Sequence, residues 1–178
     1  MRLGRVISPL VRTITTTTTT PAASSPAMLR VGDAMRERRR FTKADVAAYA
    51  AVSGDRNPVH LDDGAARELG GFERGRVVHG MLIASLFPSV IAAHFPGAVY
   101  ASQTLKFAAP VYVGDEVVAQ VQALHIRRTT AANGSSSQYV VKFATKCFAD
   151  EEEGSLAIDG EAMAVLPTLE LVSETTRD

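Results

Sequence analysis

A polar loop in the first third of the chain carries the side chains with the clearest capacity for chemistry. It reads Gly-Asp-Arg-Asn-Pro-Val-His and contains the carboxylate of Asp55 and the imidazole of His60. Because Pro58 restricts its own backbone and that of Asn57, we expect the loop to hold Asp55 and His60 in a fixed relation. Such an acid and base suit reversible hydration beside a carbonyl, in which the α-carbon loses a proton while a poor hydroxyl leaving group is protonated. The structural alternative is that Asp55 and Asn57 only cap a helix over 62–69 or stabilise a turn.

A second motif, Val-Val-His-Gly-Met at 77–81, opens a strongly apolar segment. Gly80 has no side chain and would let a ligand approach backbone N–H groups at a helix N-terminus. When the α-proton of a thioester is removed, negative charge develops on its carbonyl oxygen, and each fixed donor can stabilise that charge by roughly 3 kcal/mol in favourable cases. The alternative for Gly80 is close packing of the helix against a sheet, and both can hold.

The helices that would position these motifs are indicated by capping residues and hydrophobic spacing. Thr42 followed by Asp45 resembles a capping box, and Gly54 is placed to end the helix that it begins. The pattern then predicts a loop from Asp55 to His60, a helix over 62–69, and a buried helix over 79–94 that is apolar nearly all round.

After this buried helix the sequence becomes rich in alternating and β-branched residues, which predicts strands. These strands are expected at 99–107, 115–128, 138–149 and 156–166, after an entry strand over 29–40. Several strands and one buried helix predict an α+β fold in which an antiparallel sheet wraps around a long central helix.

The first thirty residues differ in composition from the rest of the chain. They contain four arginines, no Asp or Glu, and a run of threonines at 15–20. This composition is typical of an organellar transit peptide, with mitochondria the first choice and plastids the second. The alternative is a plain disordered tail. We therefore expect a disordered transit peptide over 1–30, a folded domain over 31–168 and a short C-terminal tail over 169–178.

Charge and hydropathy exclude two classes of partner. The formal net charge is zero with acids and bases mixed, so no basic stripe is available for nucleic acid. The longest apolar stretch, 77–90, is interrupted by a histidine and a proline and is too short to cross a bilayer, which predicts no membrane insertion.

The residue types that bind metals are few and poorly spaced. Cys147 is the only cysteine, which excludes an intrachain disulfide and a multi-cysteine zinc site, and its apolar surroundings predict burial. His79, His94 and His125 lie on apolar segments at spacings unlike those of a metal site, so we expect structural or solvent-edge roles for them. No metal and no bound redox cofactor are predicted.

Taken together, these motifs resemble the MaoC-like (R)-specific enoyl-thioester hydratases and dehydratases. The resemblance extends over 41–167. It is carried by the hydratase motif at 54–62, by Val-His-Gly-Met-Leu at 78–82, and by the strand and hairpin motifs at 103–107 and 110–117. It implies the hot-dog fold and a homodimer with the two sheets joined edge to edge and the sites near the interface.

The resemblance also implies roles for individual residues. Asp55 and His60 would form the catalytic dyad and position the water, and the Gly80 N–H would receive the thioester carbonyl. Asn57 is expected to orient the loop without a chemical step of its own. Pro88 stands where some bacterial members carry a small hydroxyl residue, which leaves the acyl chain length open.

The transit-like N-terminus narrows the expected activity. An organellar single-domain member of this family resembles the 3-hydroxyacyl-acyl-carrier-protein dehydratases of mitochondrial type II fatty acid synthesis, which interconvert (R)-3-hydroxyacyl and trans-2-enoyl thioesters. The alternative is an (R)-specific enoyl-CoA hydratase, because it would share every residue above. A hot-dog acyl thioesterase and a non-catalytic acyl-binding protein are more distant alternatives. The expected partner is an acyl thioester of acyl carrier protein or CoA.

Overall fold

The secondary structure is that of an α+β protein, seen here in a computed structural model that describes residues 13–14, 28–130, 137–149, 154–167 and 169. The helices are α1 (Lys43–Ser53), α2 (Pro58–Leu61), α3 (Asp63–Gly70), α4 (Gly80–Ala84) and α5 (Leu86–His94). The strands are β1 (Thr13–Ile14), β2 (Ala34–Arg40), β3 (Val99–Phe107), β4 (Glu116–Thr130), β5 (Ser137–Ala149) and β6 (Ser155–Leu166).

The strands form one sheet in the order β1-β2-β4-β5-β6-β3. The short β1 pairs with β2 in parallel, and every other neighbouring pair is antiparallel. In β5 alternate residues are buried because successive side chains of a strand point to opposite faces. Cys147 is one of these and is fully buried, as predicted. The predicted antiparallel sheet is confirmed. The ends of β3, β4, β5 and β6 lie within two residues of those expected, whereas β2 begins at Ala34, five residues after the expected start at 29.

The predicted long central helix is wrong in one respect, because two helices, α4 and α5, occupy its place and separate at Ser85. Pro88 has no N–H to donate to the carbonyl four residues earlier, which weakens the helix at this point. At the break, the Ser85 hydroxyl donates to the Leu82 carbonyl of its own preceding turn at 2.6 Å. The two short helices still follow one another into the core.

Helix α5 packs on the sheet through one face only. Its residues Leu86, Phe87, Val90 and Ile91 are buried, whereas Ser89, Ala92 and Ala93 are exposed. The expectation of a helix buried nearly all round is therefore wrong, and its buried face forms one core with β4, β5 and β6.

The predicted capping signals of α1 are confirmed. Thr42 and Asp45 form a reciprocal capping box, and Gly54 ends the helix in the left-handed conformation with φ 79°. The loop expected from Asp55 to His60 is shorter than predicted, because Asn57 and Pro58 begin the helical turn α2. These boundaries place Asp55 in a loop and His60 on a helical turn.

The ends of the chain lie largely outside the described residues. Within the predicted transit peptide, Thr13–Ile14 pairs with Ala34 and Met35, and Leu29 is buried. Leu169, in the predicted C-terminal tail, is also buried. The transit peptide and the domain limits stay predictions. In the described part of the chain, no helix has both the length and the apolar character needed to cross a membrane.

Gly160 is required where β3 meets β6. It pairs with Leu105, and a Cβ at this position would overlap the Thr104 carbonyl oxygen of the neighbouring strand. We predict that Gly160→Ala destabilises the protein by about 1 to 3 kcal/mol because the strands would have to separate. Denaturant unfolding would measure this. Met163→Ala, a truncation on the same strand at a side chain that is 41% exposed, is the control, and equal stability of the two variants would contradict the prediction.

Candidate active site

The loop after α1 holds Asp55 through local hydrogen bonds. The Asn57 N–H donates to Asp55 Oδ1 at 3.2 Å, and the Val59 N–H donates to Asn57 Oδ1 at 3.3 Å. Asn57 thus caps α2, while Asp62 caps α3 by accepting from the Ala65 N–H at 2.7 Å. The structural alternative from the sequence is therefore partly correct, since Asp55 and Asn57 do stabilise a turn. The same hydrogen bonds fix the position of the Asp55 carboxylate relative to the loop backbone.

His60 is held in one orientation by a backbone carbonyl. Its Nδ1 lies 2.8 Å from the Val77 oxygen. Since a carbonyl oxygen can only accept, Nδ1 carries the hydrogen and Nε2 keeps the lone pair. The half-buried ring is therefore poised to accept a proton at Nε2.

The extended segment at 76–78 joins α2 to the rest of the domain. The Val77 N–H donates to the Val59 oxygen at 3.3 Å, and the Val78 N–H donates to the Val111 oxygen at 2.8 Å. Arg76 bonds the Asp63 carboxylate from its backbone and its guanidinium, which lowers the pKa of Asp63 to about 2. This segment therefore attaches the helical turn α2, which carries His60, to the rest of the domain.

His79 belongs to the site although the sequence indicated only a structural or solvent-edge role. It is 2% exposed, and its Nε2 lies 3.1 Å from the Asp55 carbonyl oxygen and 4.0 Å from Oδ2 of the same residue. Its ring stacks on that of His60, with centroids 3.8 Å apart and planes 28° apart. Burial lowers the pKa of His79, and the nearby His60 adds to this effect. The only signal in the sequence was its position directly before Gly80.

The cluster also bears on the prediction of no metal. Donor atoms of Asp55, His60 and His79 all lie within 4.8 Å of one another, a grouping that their sequence spacing does not reveal. His94 lies in α5 and His125 in β4, outside this group. Because one nitrogen of each clustered ring already faces a backbone carbonyl, only His60 Nε2 and His79 Nδ1 remain for other partners. The absence of a metal and of a cofactor stays a prediction.

Gly80 is the first residue of α4 and lies at the wall of an apolar cavity. The N–H groups of a helix's first turn have no intrahelical acceptor and are available to a ligand. The cavity has a volume of about 330 Å³. It is lined by Phe72, Val77, Val78, Gly80, Ile83, Phe107, Ala108, Ala109, Pro110, Val111 and Ile158. This lining suits a hydrocarbon chain whose polar end lies near Gly80.

The dyad adjoins this cavity without lining it. Asp55 has a side chain that is 51% exposed, and neither it nor His60 belongs to the cavity wall. Val77 connects the two, since it lines the cavity and accepts the His60 hydrogen bond. Pro88 is not among the residues that line this cavity.

Known proteins align in sequence with most of this chain. The 3-hydroxyacyl-[acyl-carrier-protein] dehydratase, mitochondrial, of Arabidopsis thaliana is 49% identical over 154 residues, which is 86% of this chain and 87% of the relative. The (R)-specific enoyl-CoA hydratase of Aeromonas caviae is 41% identical over 141 residues, 78% of this chain and 96% of the relative.

Solved structures agree with the sequence relatives. An (R)-hydratase from A. caviae involved in PHA biosynthesis aligns with a TM-score of 0.67 and 40% identity, over 78% of this chain and 98% of that chain. A Mycobacterium tuberculosis protein with a double hot-dog fold aligns with a TM-score of 0.66 over 84% of this chain and 45% of that chain. At 15% identity this likeness shows the fold alone, which is the hot-dog fold expected from the motifs.

The family model for the MaoC like domain matches residues 16–142, which includes the loop with Asp55 and His60 and the helix start at Gly80. With this match and the relatives above, the chain belongs to the MaoC-like dehydratase family.

Proposed function

We propose that this protein is a 3-hydroxyacyl-[acyl-carrier-protein] dehydratase that reversibly converts (R)-3-hydroxyacyl thioesters into trans-2-enoyl thioesters and water. The observation that carries the proposal is the meeting of an acid-base pair, Asp55 and His60, with a free helix N-terminus at Gly80 beside an apolar cavity. The mitochondrial dehydratase of A. thaliana, 49% identical, supports this choice of reaction.

Each part of the site has a task in the proposed reaction. Asp55 and His60 share the acid-base work, in which the α-proton leaves, the bond between the β-carbon and the hydroxyl breaks, and the hydroxyl departs as water. His60 can accept a proton because its lone pair is on Nε2. The N–H of Gly80 stabilises the charge that grows on the thioester oxygen during this step. In the reverse direction the same pair positions the water.

The carrier separates the proposed dehydratase from its nearest alternative. An (R)-specific enoyl-CoA hydratase, the activity named for the A. caviae relative, would use the same residues. Absorbance at the enoyl-thioester band should fall when the protein is mixed with 2-enoyl groups on acyl carrier protein. Much faster loss on carrier protein than on CoA supports the dehydratase, and equal or faster loss on CoA supports the hydratase.

Two further alternatives differ in their products. A thioesterase would release a free thiol from the same substrate, whereas hydration leaves the thioester intact. A non-catalytic acyl-binding protein would bind substrate without changing the enoyl band, and it has no need for an acid-base pair at a helix N-terminus. A thiol assay run beside the absorbance measurement therefore distinguishes hydration, thioester hydrolysis and binding without turnover.

A mitochondrial location is part of the proposal. It is supported by the four arginines and the absence of acidic residues in 1–30, and by the mitochondrial location in the name of the A. thaliana relative. The residues left after removal of this segment would carry 15 basic against 19 acidic groups, a net charge of −4.

We also propose a homodimer formed through β3. This strand is last in the sheet order, and its end residues Val99 and Phe107 are 62% and 53% exposed. Phe107 also lines the cavity, so a second copy at this edge would lie close to the site. Light scattering in solution should give twice the 19.0 kDa mass of the chain, and the mass of one chain would contradict the dimer.

The dyad is tested by removing its acid-base groups one at a time. We predict that Asp55→Asn and His60→Ala each lower kcat by about 10²- to 10⁴-fold while the protein stays folded, because each removes a proton-transfer group that lies outside the hydrophobic core. The controls are Asp159→Asn, in a surface ion pair with Lys146, and His94→Ala in α5. Enoyl-thioester absorbance gives the rates. Turnover at the wild-type level in either dyad variant would overturn its assignment.

Gly80 is tested by adding a single methyl group. A Cβ here would lie 2.5 Å from the Phe107 ring, which can move because it is half exposed, so folding should survive. The methyl would still crowd the space in front of the helix N-terminus, and we predict a fall in kcat of about 10²- to 10³-fold, the size typical of a lost oxyanion donor. Gly64→Ala in α3 is the matched control, and equal rates for the two variants would contradict the role of Gly80.

A further inference from the structure

The His79 side chain does not stabilise the start of its own helix by a hydrogen bond. It occupies the N-cap position of α4 but makes no capping hydrogen bond from its side chain. Serine, threonine, aspartate and asparagine are the residues that usually cap a helix in this way. The imidazole extends instead to the loop after α1, where Nε2 meets the Asp55 carbonyl oxygen at 3.1 Å. Local helix stability therefore does not explain a histidine here.

The acceptor of this bond determines the tautomer of His79. A carbonyl oxygen can only accept, so the hydrogen is on Nε2 and the lone pair is on Nδ1. Nδ1 is buried and has no hydrogen-bond partner among the described residues. His79 and His60 thus each donate one ring N–H to a backbone carbonyl, from opposite nitrogens of the imidazole.

The ring also supports His60 from one face. The two imidazoles stack at 3.8 Å, and Tyr49 of α1 contacts the His79 ring at 4.9 Å between centroids. A second positive charge at stacking distance would oppose protonation of His60 during the reaction. Burial lowers the pKa of His79 and so favours its neutral form, which leaves proton transfer to His60.

We propose that His79 is a positioning residue, which holds Asp55 through a hydrogen bond and His60 through ring stacking, and so aligns both with the adjacent N–H of Gly80. This inference rests on the proposed dehydratase function. His79 performs no proton transfer of its own. Because it directly precedes Gly80, one residue links the acid-base pair to the donor for the thioester oxygen.

Three substitutions separate the two contacts of His79. His79→Ala removes the hydrogen bond and the stacked ring, His79→Gln keeps an N–H donor, and His79→Phe keeps a ring. We predict that His79→Ala lowers kcat by about 10²-fold with little change in KM, because displacing the reacting groups by about 1 Å costs that much. The Gln and Phe variants should each retain more activity than the Ala variant.

A merely structural role is excluded by a matched core truncation and a mutant cycle. Val90→Ala in α5 removes buried side-chain volume away from the dyad and should lower the melting temperature while leaving kcat unchanged. In a His60→Ala background, adding His79→Ala should cost little more, since residues that act as a unit are not additive. A loss of kcat in His79→Ala no larger than in Val90→Ala, or full additivity, would overturn the proposal.

A readout independent of turnover keeps this test apart from that of the proposed function. Long-range ¹H–¹⁵N spectra of the histidine rings at mildly alkaline pH report which nitrogen carries the hydrogen in each of the four histidines. His60 should keep the Nδ1–H tautomer that the Val77 carbonyl fixes, while its ring signals should shift in His79→Ala, where the stacked ring is lost, and not in Val90→Ala. Unshifted His60 ring signals in His79→Ala would overturn the proposal. Failure of the wild type to hydrate any enoyl thioester would overturn the proposed function alone.

Discussion

The short extended segment from Arg76 to His79 is the constraint on which the rest of the site depends. Its backbone bonds α2 through Val59 and the loop between β3 and β4 through Val111, and its Val77 carbonyl receives the His60 ring. Helix α2 is a single turn with no buried residue, so it could not fix the position of the His60 ring without these hydrogen bonds. A marginal helix is therefore positioned by tertiary hydrogen bonds, and with it the His60 ring of the candidate site.

Few charges are used to build this site. Asp55 remains half exposed, burial lowers the pKa of His79 and so favours its neutral form, and the cavity beside Gly80 is apolar. The strong ion pairs lie around it, as between Arg76 and Asp63, where they hold backbone rather than substrate. Developing charge on a bound thioester would thus meet a backbone dipole in surroundings of low polarity, where such an interaction is strongest.

The parts of the structure with local causes were predictable from the sequence. Strand alternation, the Thr42 capping box and the Gly54 stop depend on neighbours within a few residues, and each is confirmed. The interruption at Ser85 was missed because the apolar pattern continues across it, although Pro88 carried the signal. The contact between His79 and Asp55 joins residues 24 positions apart, and a single buried histidine has no spacing rule that would reveal it. Asp55, His60 and Gly80 were predicted as site residues only because their neighbours in the sequence form recognisable motifs.

The order of strands in the sheet has a consequence for how the chain acquires this structure. Strand β3 is followed along the chain by β4, but its partner in the sheet is β6, which comes last among the strands of the described residues. Leu105 of β3 can form its pair only when Gly160 of β6 is present. Pairing between strands so far apart in the sequence is slow, because chain entropy is lost in closing the loop before the contacts between the strands form. The hairpins β4-β5 and β5-β6 therefore form before the β3-β6 pair, and the wall that carries Phe107 beside Gly80 is the last part of the sheet to close.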